Sequence, residues 1–359
     1  MRDVEFHNRE KETREIRAIL DSRPTLITFI YGPINSGKTE LITHTIEELP
    51  DEYVVFYINL RTKFLASYDE FIESLFEMEM EAEGATRKKK ETLAELVSSV
   101  TKVAGIPITK EFMDYVFKDK KPKNAFSYII KLFEEVEATG KQPVLIVDEL
   151  QKIGDVNVNS SLIYELFNFF IDLTKERHLA HVFVATSDSL FIEQIYSEAM
   201  LSGRCRYLLV DDFDRGTTTA FLGEYGFTDG ETQTAWDYCG GKPIFLLELI
   251  RIDEKERFAK KILATRVNQL KDLLDYLDYT KPGIAIGETR YLVEKEDVVN
   301  ILRRFVDAED IDSDGLNRPA KQFLIEDNIL FLDLDTGIIK PQSRLNLLAI
   351  RKVLEERVQ

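Results

Sequence analysis

The chain has 359 residues, more than one ordinary core holds and enough for two or three domains. Apolar residues make up 44% and charged residues 31%, a globular profile that excludes disorder throughout. A net charge of -17 excludes a protein coated in nucleic acid by bulk electrostatics and leaves only a local basic face for that role.

In chain order, the amino-terminal "MRDVEFHNREKETREI" carries charges where a signal peptide needs an apolar run, and no later run reaches membrane-spanning length. The expectation is a cytoplasmic protein with no membrane partner. Apolar runs rich in β-branched residues then recur at "LITFIYG", "EYVVFYINL", "PVLIVDE", "HVFVATS" and "RYLLV". Their hydrophobicity is continuous rather than alternating, which fits strands covered on both faces. Helical patterns lie between them, such as Ser160 to Arg177, where Leu162, Leu166, Phe169, Phe170 and Leu173 mark one apolar face. The alternation predicts an α/β fold with a parallel sheet. From Phe64 to Ala138 the pattern is helical, with a basic cluster at Arg87 to Lys90 and no convincing strand. This predicts a helical insertion over about 64–138 within a core spanning 1–240. His178 and His181 flank a break near Leu179 and lack a third ligand, so they read as structural. Cys205 and Cys239 have no partner at metal-ligand spacing and read as core thiols. Trp236, Tyr238 and Phe167 to Phe170 fit helix packing better than base stacking.

After about Gly241 the texture is helical: a linker or lid over 241–290, then "KEDVVNILRRFV", "NRPAKQFLIED" and a last helix near Leu345 to Val358. Apolar runs on either side of Asp335-Thr336-Gly337 predict a β-hairpin. Helices followed by a hairpin predict a winged-helix-like domain over 291–359.

"YGPINSGKTE" carries the chemistry. Gly32-Pro33-Ile34-Asn35-Ser36-Gly37-Lys38-Thr39 fits G-x-x-x-x-G-K-[ST], with a strand before it and the helical "ELITHTIEEL", beginning at Glu40, after it. The glycines let backbone N–H groups turn inward around phosphates, and the helix start adds positive potential there. Lys38 is expected on the β- and γ-phosphates and the Thr39 hydroxyl on Mg²⁺. A metal on those phosphates needs a carboxylate at a neighbouring strand end, which "VLIVDE" supplies as Asp148. Glu149, next to it, is positioned to orient or deprotonate the attacking water.

These residues resemble the archaeal ATPases of the STAND class, relatives of AAA+ and origin-recognition ATPases, across nearly the full length. "FHNREKE" is similar to that family's F-x-G-R-E-x-E signature, with Asn8 where glycine is usual and Arg9 following. The resemblance implies an ASCE-type P-loop core, ATP with Mg²⁺, and a signature segment near the adenine, although a charged helix start is the plainer reading. It implies a γ-phosphate sensor at Thr186 or Ser187, where a helix N-cap is the alternative and Asp188 stands where many members have an arginine. "GGKP" is similar to an element that puts Pro243 beside the adenine, or else simply starts a helix. Arg204 and Arg206 precede the fifth run, where related proteins carry an arginine that reads the nucleotide; surface ion pairs are the alternative.

The functional expectation is an ATP-driven switch that exchanges ATP for ADP, hydrolyses slowly and changes its domain arrangement, its homo-oligomeric state or a protein contact. The alternative is a DNA-binding regulator or mobile-element protein whose winged helix is gated by ATP. The region from Arg251 to Gln359 has 19 Lys and Arg against 21 Asp and Glu, near enough to neutral to leave DNA open. A small-molecule kinase is disfavoured by Glu149 and the long carboxy-terminal region.

Overall fold

The computed structural model describes residues 6, 7, 9–61, 63, 65, 67–76, 101–109, 112, 115, 116, 122–155, 161–198, 201–286 and 289–358. The predicted strands form where the apolar runs fall: β1 (Ile27–Tyr31), β2 (Tyr53–Asn59), β4 (Gln142–Asp148), β5 (His181–Thr186) and β6 (Cys205–Leu209). With the short β3 (Lys102–Ala104) they make one six-stranded sheet in the order β3-β2-β4-β5-β1-β6, every pair parallel.

The sheet is buried on both faces, which is why its strands read as unbroken apolar runs. Ile27, Phe29 and Tyr31 point into one core with Phe56, Leu145 and Val182. Ile30, Val55, Val144 and Phe183 point into the other, against α1 (Glu10–Leu20) and α2 (Lys38–Glu48). The first core is closed by α3 (Tyr68–Leu75), α4 (Pro122–Ala138), α5 (Ser161–Ile171) and α6 (Ser189–Glu198). The predicted apolar face of α5 is buried as expected, and the helix continues as a π turn over Asp172–Glu176. Left-handed His178 (φ 54°) then turns the chain into β5, at the break expected near Leu179.

β3 corrects the expectation of a purely helical insertion. Lys102–Ala104 pairs with Val55–Tyr57 and extends the sheet's edge. Three residues of exposed, half-buried, exposed character leave no apolar run to notice. The Arg87 to Lys90 cluster lies outside the described residues.

β6 leads into α7 (Arg215–Glu224), α8 (Asp229–Cys239) and α9 (Pro243–Ile250), which share a small core around Phe221, Leu222, Cys239 and Leu246. Burial there pushes the Cys239 thiol up to about 12, as befits a core thiol. The long α10 (Lys255–Tyr279) opens the carboxy-terminal unit, followed by α11 (Lys295–Arg303), α12 (Arg318–Glu326) and α13 (Arg344–Val358). The expected hairpin is present as β10 (Leu330–Leu332) antiparallel to β11 (Ile338–Pro341), and β9 (Ile311–Asp312) adds to the far side of β11. A second hairpin, β7 (Gly283–Ile286) with β8 (Thr289–Leu292), was not legible in sequence; all of β8 is exposed. No described helix is long and apolar enough to cross a membrane.

His181, at the start of β5, is 3% exposed, and burial, with Arg206 adding to it, pushes its imidazole down from 6.5 to about 4. Between those values the unfolded chain takes up a proton that the folded chain refuses, so stability falls as pH drops through the window. The expected loss is at most about 3 kcal/mol. Urea unfolding at pH 7 and pH 5 should show it, and His181→Gln should flatten the difference. An unchanged slope in the variant would assign the acid sensitivity to other groups.

Candidate nucleotide-binding site

The parallel sheet brings the carboxyl ends of β1, β4 and β5 side by side, with Tyr31 opposite Thr186 and Asp148 opposite Ala185. The loop from Gly32 to Gly37 leaves the sheet at this edge and enters α2 at Lys38. Gly32 has a steric reason to be glycine: a Cβ there would sit 2.1 Å from the Val210 carbonyl oxygen. Lys38 is 8% exposed, and its Nζ donates to the carbonyls of Gly32 (3.0 Å) and Pro33 (2.9 Å). Burial, followed by the nearby Lys242, pushes its ammonium down to about 8.

Thr39 Oγ1 donates to Asp148 Oδ2 at 3.0 Å, and Tyr57 Oη donates to the same oxygen at 2.9 Å. Burial raises the Asp148 carboxyl above its usual range, opposed by these two hydroxyls. A hydroxyl beside one carboxylate is the donor set Mg²⁺ takes when phosphate oxygens and waters complete its octahedron. The residues therefore fit the metal without a dedicated protein cage.

Glu149 holds a left-handed backbone (φ 60°), a costly conformation for a non-glycine residue, and its N–H donates to Asp148 Oδ1 at 3.0 Å. Its carboxylate is gripped from two sides, by the Arg61 guanidinium and by Gln151 Nε2 at 2.6 Å. Thr186 Oγ1 donates to Gln151 Oε1 at 2.7 Å and accepts from the Asp188 N–H at 3.0 Å. The strand-end threonine and the acidic residue after Asp148 are thus joined through one glutamine.

A cleft of about 800 Å³ runs from this cluster between the loop and α9. Residues 34–40 line it together with Glu149, Arg61 and Ser187. Phe6, Phe213, Phe221, Ile244 and Leu247 add an apolar lining with Pro243, which starts α9.

Not every expected site residue faces that cleft in the expected way. Arg9 lines the cleft but is 6% exposed and also bonds to protein groups: one terminal nitrogen donates to the carbonyls of Ser36 (2.6 Å) and Asp211 (2.7 Å), the other to Glu12 (3.0 Å). Its guanidinium lies 4.8 Å from the Phe213 ring centre. It braces the loop. Asn8 lies outside the described residues. Arg204 and Arg206 are a correction. They stand at the start of β6, where the Arg204 carbonyl accepts from the Ile27 N–H, so the length of the sheet separates them from the loop in this chain. Gly241 also has a steric reason to be glycine, because a Cβ there would lie 1.7 Å from the Phe213 carbonyl oxygen.

Sequence reasoning missed Tyr57, Arg61, Gln151, Lys242 and Gln342. Lys242, 2% exposed, pairs with Asp212 (2.8 Å) and donates to the Ile34 carbonyl (3.1 Å). Gln342 Oε1 accepts from the Ile34 N–H at 3.1 Å. The only local hint was the position of Lys242 inside "GGKP".

Residues 6–249 match a family described as an ATPase domain predominantly from Archaea. The chain belongs to that family. Its remaining length, residues 256–354, matches a second family described as the C-terminal domain of MJ1010-like uncharacterized ATP-binding proteins. Among relatives of this archaeal ATPase-domain chain, an uncharacterized ATP-binding protein of Pyrococcus abyssi is 47% identical over 350 residues, covering 97% of this chain and 98% of that protein. Another, of Methanocaldococcus jannaschii, is 45% identical over 367 residues, covering 98% of each chain. A solved structure of the ORC2 protein of Aeropyrum pernix overlaps 99% of this chain and 97% of that one at 11% identity, with a TM-score of 0.48.

Proposed function

We propose that this archaeal ATPase-domain protein binds Mg·ATP in the cleft, hydrolyses it slowly and acts as a STAND-like molecular switch. Relatives named as ATP-binding proteins across nearly the full length support the ligand. The observation that carries the reading is the chain Thr186–Gln151–Glu149–Arg61, which holds the candidate base by both its oxygens.

Lys38 is expected to leave the carbonyls of Gly32 and Pro33 for the β- and γ-phosphates. Bound Mg²⁺, held by Thr39 and through Asp148, would neutralise phosphate charge. Glu149, once released, would take a proton from the attacking water. If a γ-phosphate drew the Thr186 hydroxyl away, losing the Thr186–Gln151 bond would loosen one side of the grip on Glu149. The carboxy-terminal unit would feel the same event, since it is bonded to this edge at three places: Ile34 to Gln342, Tyr31 Oη to Asp333 Oδ1 at 2.6 Å, and Asp211 to Lys340.

Arg61→Ala tests the grip. Basal turnover is expected to rise several-fold, by roughly the 1 kcal/mol or less that a pair with an exposed arginine supplies, with ATP affinity little changed. Steady-state phosphate release would show it. Turnover equal to or below wild type would refute a restraining role for Arg61.

The alternative of a winged-helix DNA reader gated by ATP has the β10–β11 hairpin in its favour. The net charge of -2 over 251–359 gives it little electrostatic support.

A further inference from the structure

A second cleft, of about 460 Å³, shares Ile34, Asn35 and Ile244 with the first, so the phosphate loop is a wall of both. That volume is ample for a small molecule. One face of α10 lines it at helical spacing, through Phe258, Lys261, Ile262, Thr265, Arg266 and Gln269. The chain carries a net charge of -17, yet no Asp or Glu lines this cleft, whereas Lys242, Lys261 and Arg266 do. Lys242 is already paired, with Asp212 at 2.8 Å. Arg266, half-buried, is not: its hydrogen bonds go to neutral acceptors, Asn346 Oδ1 (2.7 Å), Gln269 Oε1 (3.1 Å) and the Asn328 carbonyl (3.0 Å). A guanidinium has five N–H donors, so two are left over. Asp327 acts on Arg266 through its charge, but it forms no ion pair with it and does not line the cleft. Lys261 is exposed and makes no ion pair with any described residue.

An exposed lysine alone is ordinarily just solvated. Here it shares a cleft with an arginine that has no carboxylate partner, and Phe245, Phe258, Ile262 and Leu345 supply apolar wall around them. That combination suits a ligand with an anionic group on an apolar or ring body. We propose that this cleft is a second ligand site, for a small organic anion, and that its occupant is felt by the phosphate loop through Ile34. Two residues that line the cleft hold the backbone of Ile34: Lys242 Nζ donates to its carbonyl at 3.1 Å, and Gln342 Oε1 accepts from its N–H at 3.1 Å. A ligand that shifts either side chain changes how the loop is held. The site stands independently of the reading of the first cleft, whereas the coupling rests on that reading.

Fluorescence titration of the full chain with anilinonaphthalene sulfonate, at saturating Mg·ATP to fill the first cleft, tests this directly. One equivalent of the sulfonate is expected to bind, displaced by phenyl phosphate or benzoate and not by neutral benzyl alcohol; the better of the two anions identifies the charged group the site takes. Gln269→Glu should weaken the sulfonate by about tenfold or more, because it places a carboxylate on Arg266 and supplies the missing anion from within. Lys261→Glu, an exposed change that leaves folding alone, should weaken it by about 3- to 10-fold. Saturating benzoate should shift the Mg·ATP dissociation constant by about threefold or more in wild type and not in Gln269→Glu. No sulfonate bound, equal displacement by benzyl alcohol, or affinity unchanged in both variants would overturn the site. An unshifted ATP affinity would overturn the coupling. Failure of wild type to bind Mg·ATP would instead overturn the reading of the first cleft and the coupling with it, and the two variants would still decide the second site.

Discussion

Lys38→Met is expected to weaken Mg·ATP binding by at least about 100-fold while leaving the melting temperature unchanged or higher. The two halves have one cause. The ammonium is buried, donates to the carbonyls of Gly32 and Pro33, and is pushed down first by burial and then by Lys242. An apolar side chain of similar length removes that cost. With ATP present, the same ammonium would make charge-assisted bonds to phosphate, each worth about 1.5–3 kcal/mol, and methionine makes none. Titration calorimetry and thermal unfolding on one preparation separate affinity from fold. Affinity within twofold of wild type would remove Lys38 from the site.

Glu149→Gln is expected to retain ATP and to slow its hydrolysis by about 10² to 10⁴-fold, the usual cost of losing a general base. Its stability should change by less than about 1 kcal/mol, because the Arg61 partner is 60% exposed and solvent screens the pair. The backbone supplies a sharper comparison. Residue 149 sits at φ 60°, where glycine is at ease and glutamate is not. Glu149→Gly is therefore expected to relieve local strain of order 1 kcal/mol while being as inactive as the glutamine variant. Phosphate release under single-turnover conditions distinguishes slow chemistry from slow ADP release. A glutamine variant as fast as wild type would move the base to another residue.

The parts of this site that were legible in sequence are those whose chemistry is local. Gly32 to Thr39 and Asp148-Glu149 each follow an apolar run that ends abruptly, and a parallel strand ends at the site, so the run and the motif point to the same place. Tyr57, Arg61 and Gln342 are ordinary residues in their own stretches. They matter because folding carries them 91, 88 and 308 positions along the chain to Asp148, Glu149 and Ile34. Arg204 misled for the complementary reason. Its place just before an apolar run is correct, but the start of a parallel strand is the edge remote from the phosphate loop. Arg9, expected near the nucleotide, does line the cleft, and it also donates to Ser36, Asp211 and Glu12.

The loop around Ile34 and Ser36 is held at one side by Arg9, which precedes β1, and at the other by Gln342, which follows β11. A ribosome therefore releases the phosphate loop long before it releases the glutamine that completes it, and the sheet can pair while this corner is still unsupported. Closing so long a stretch of chain is slow relative to local structure. The packing of this loop is thus completed late, once Gln342 has been made and folded against it, and a copy truncated before Gln342 lacks that support.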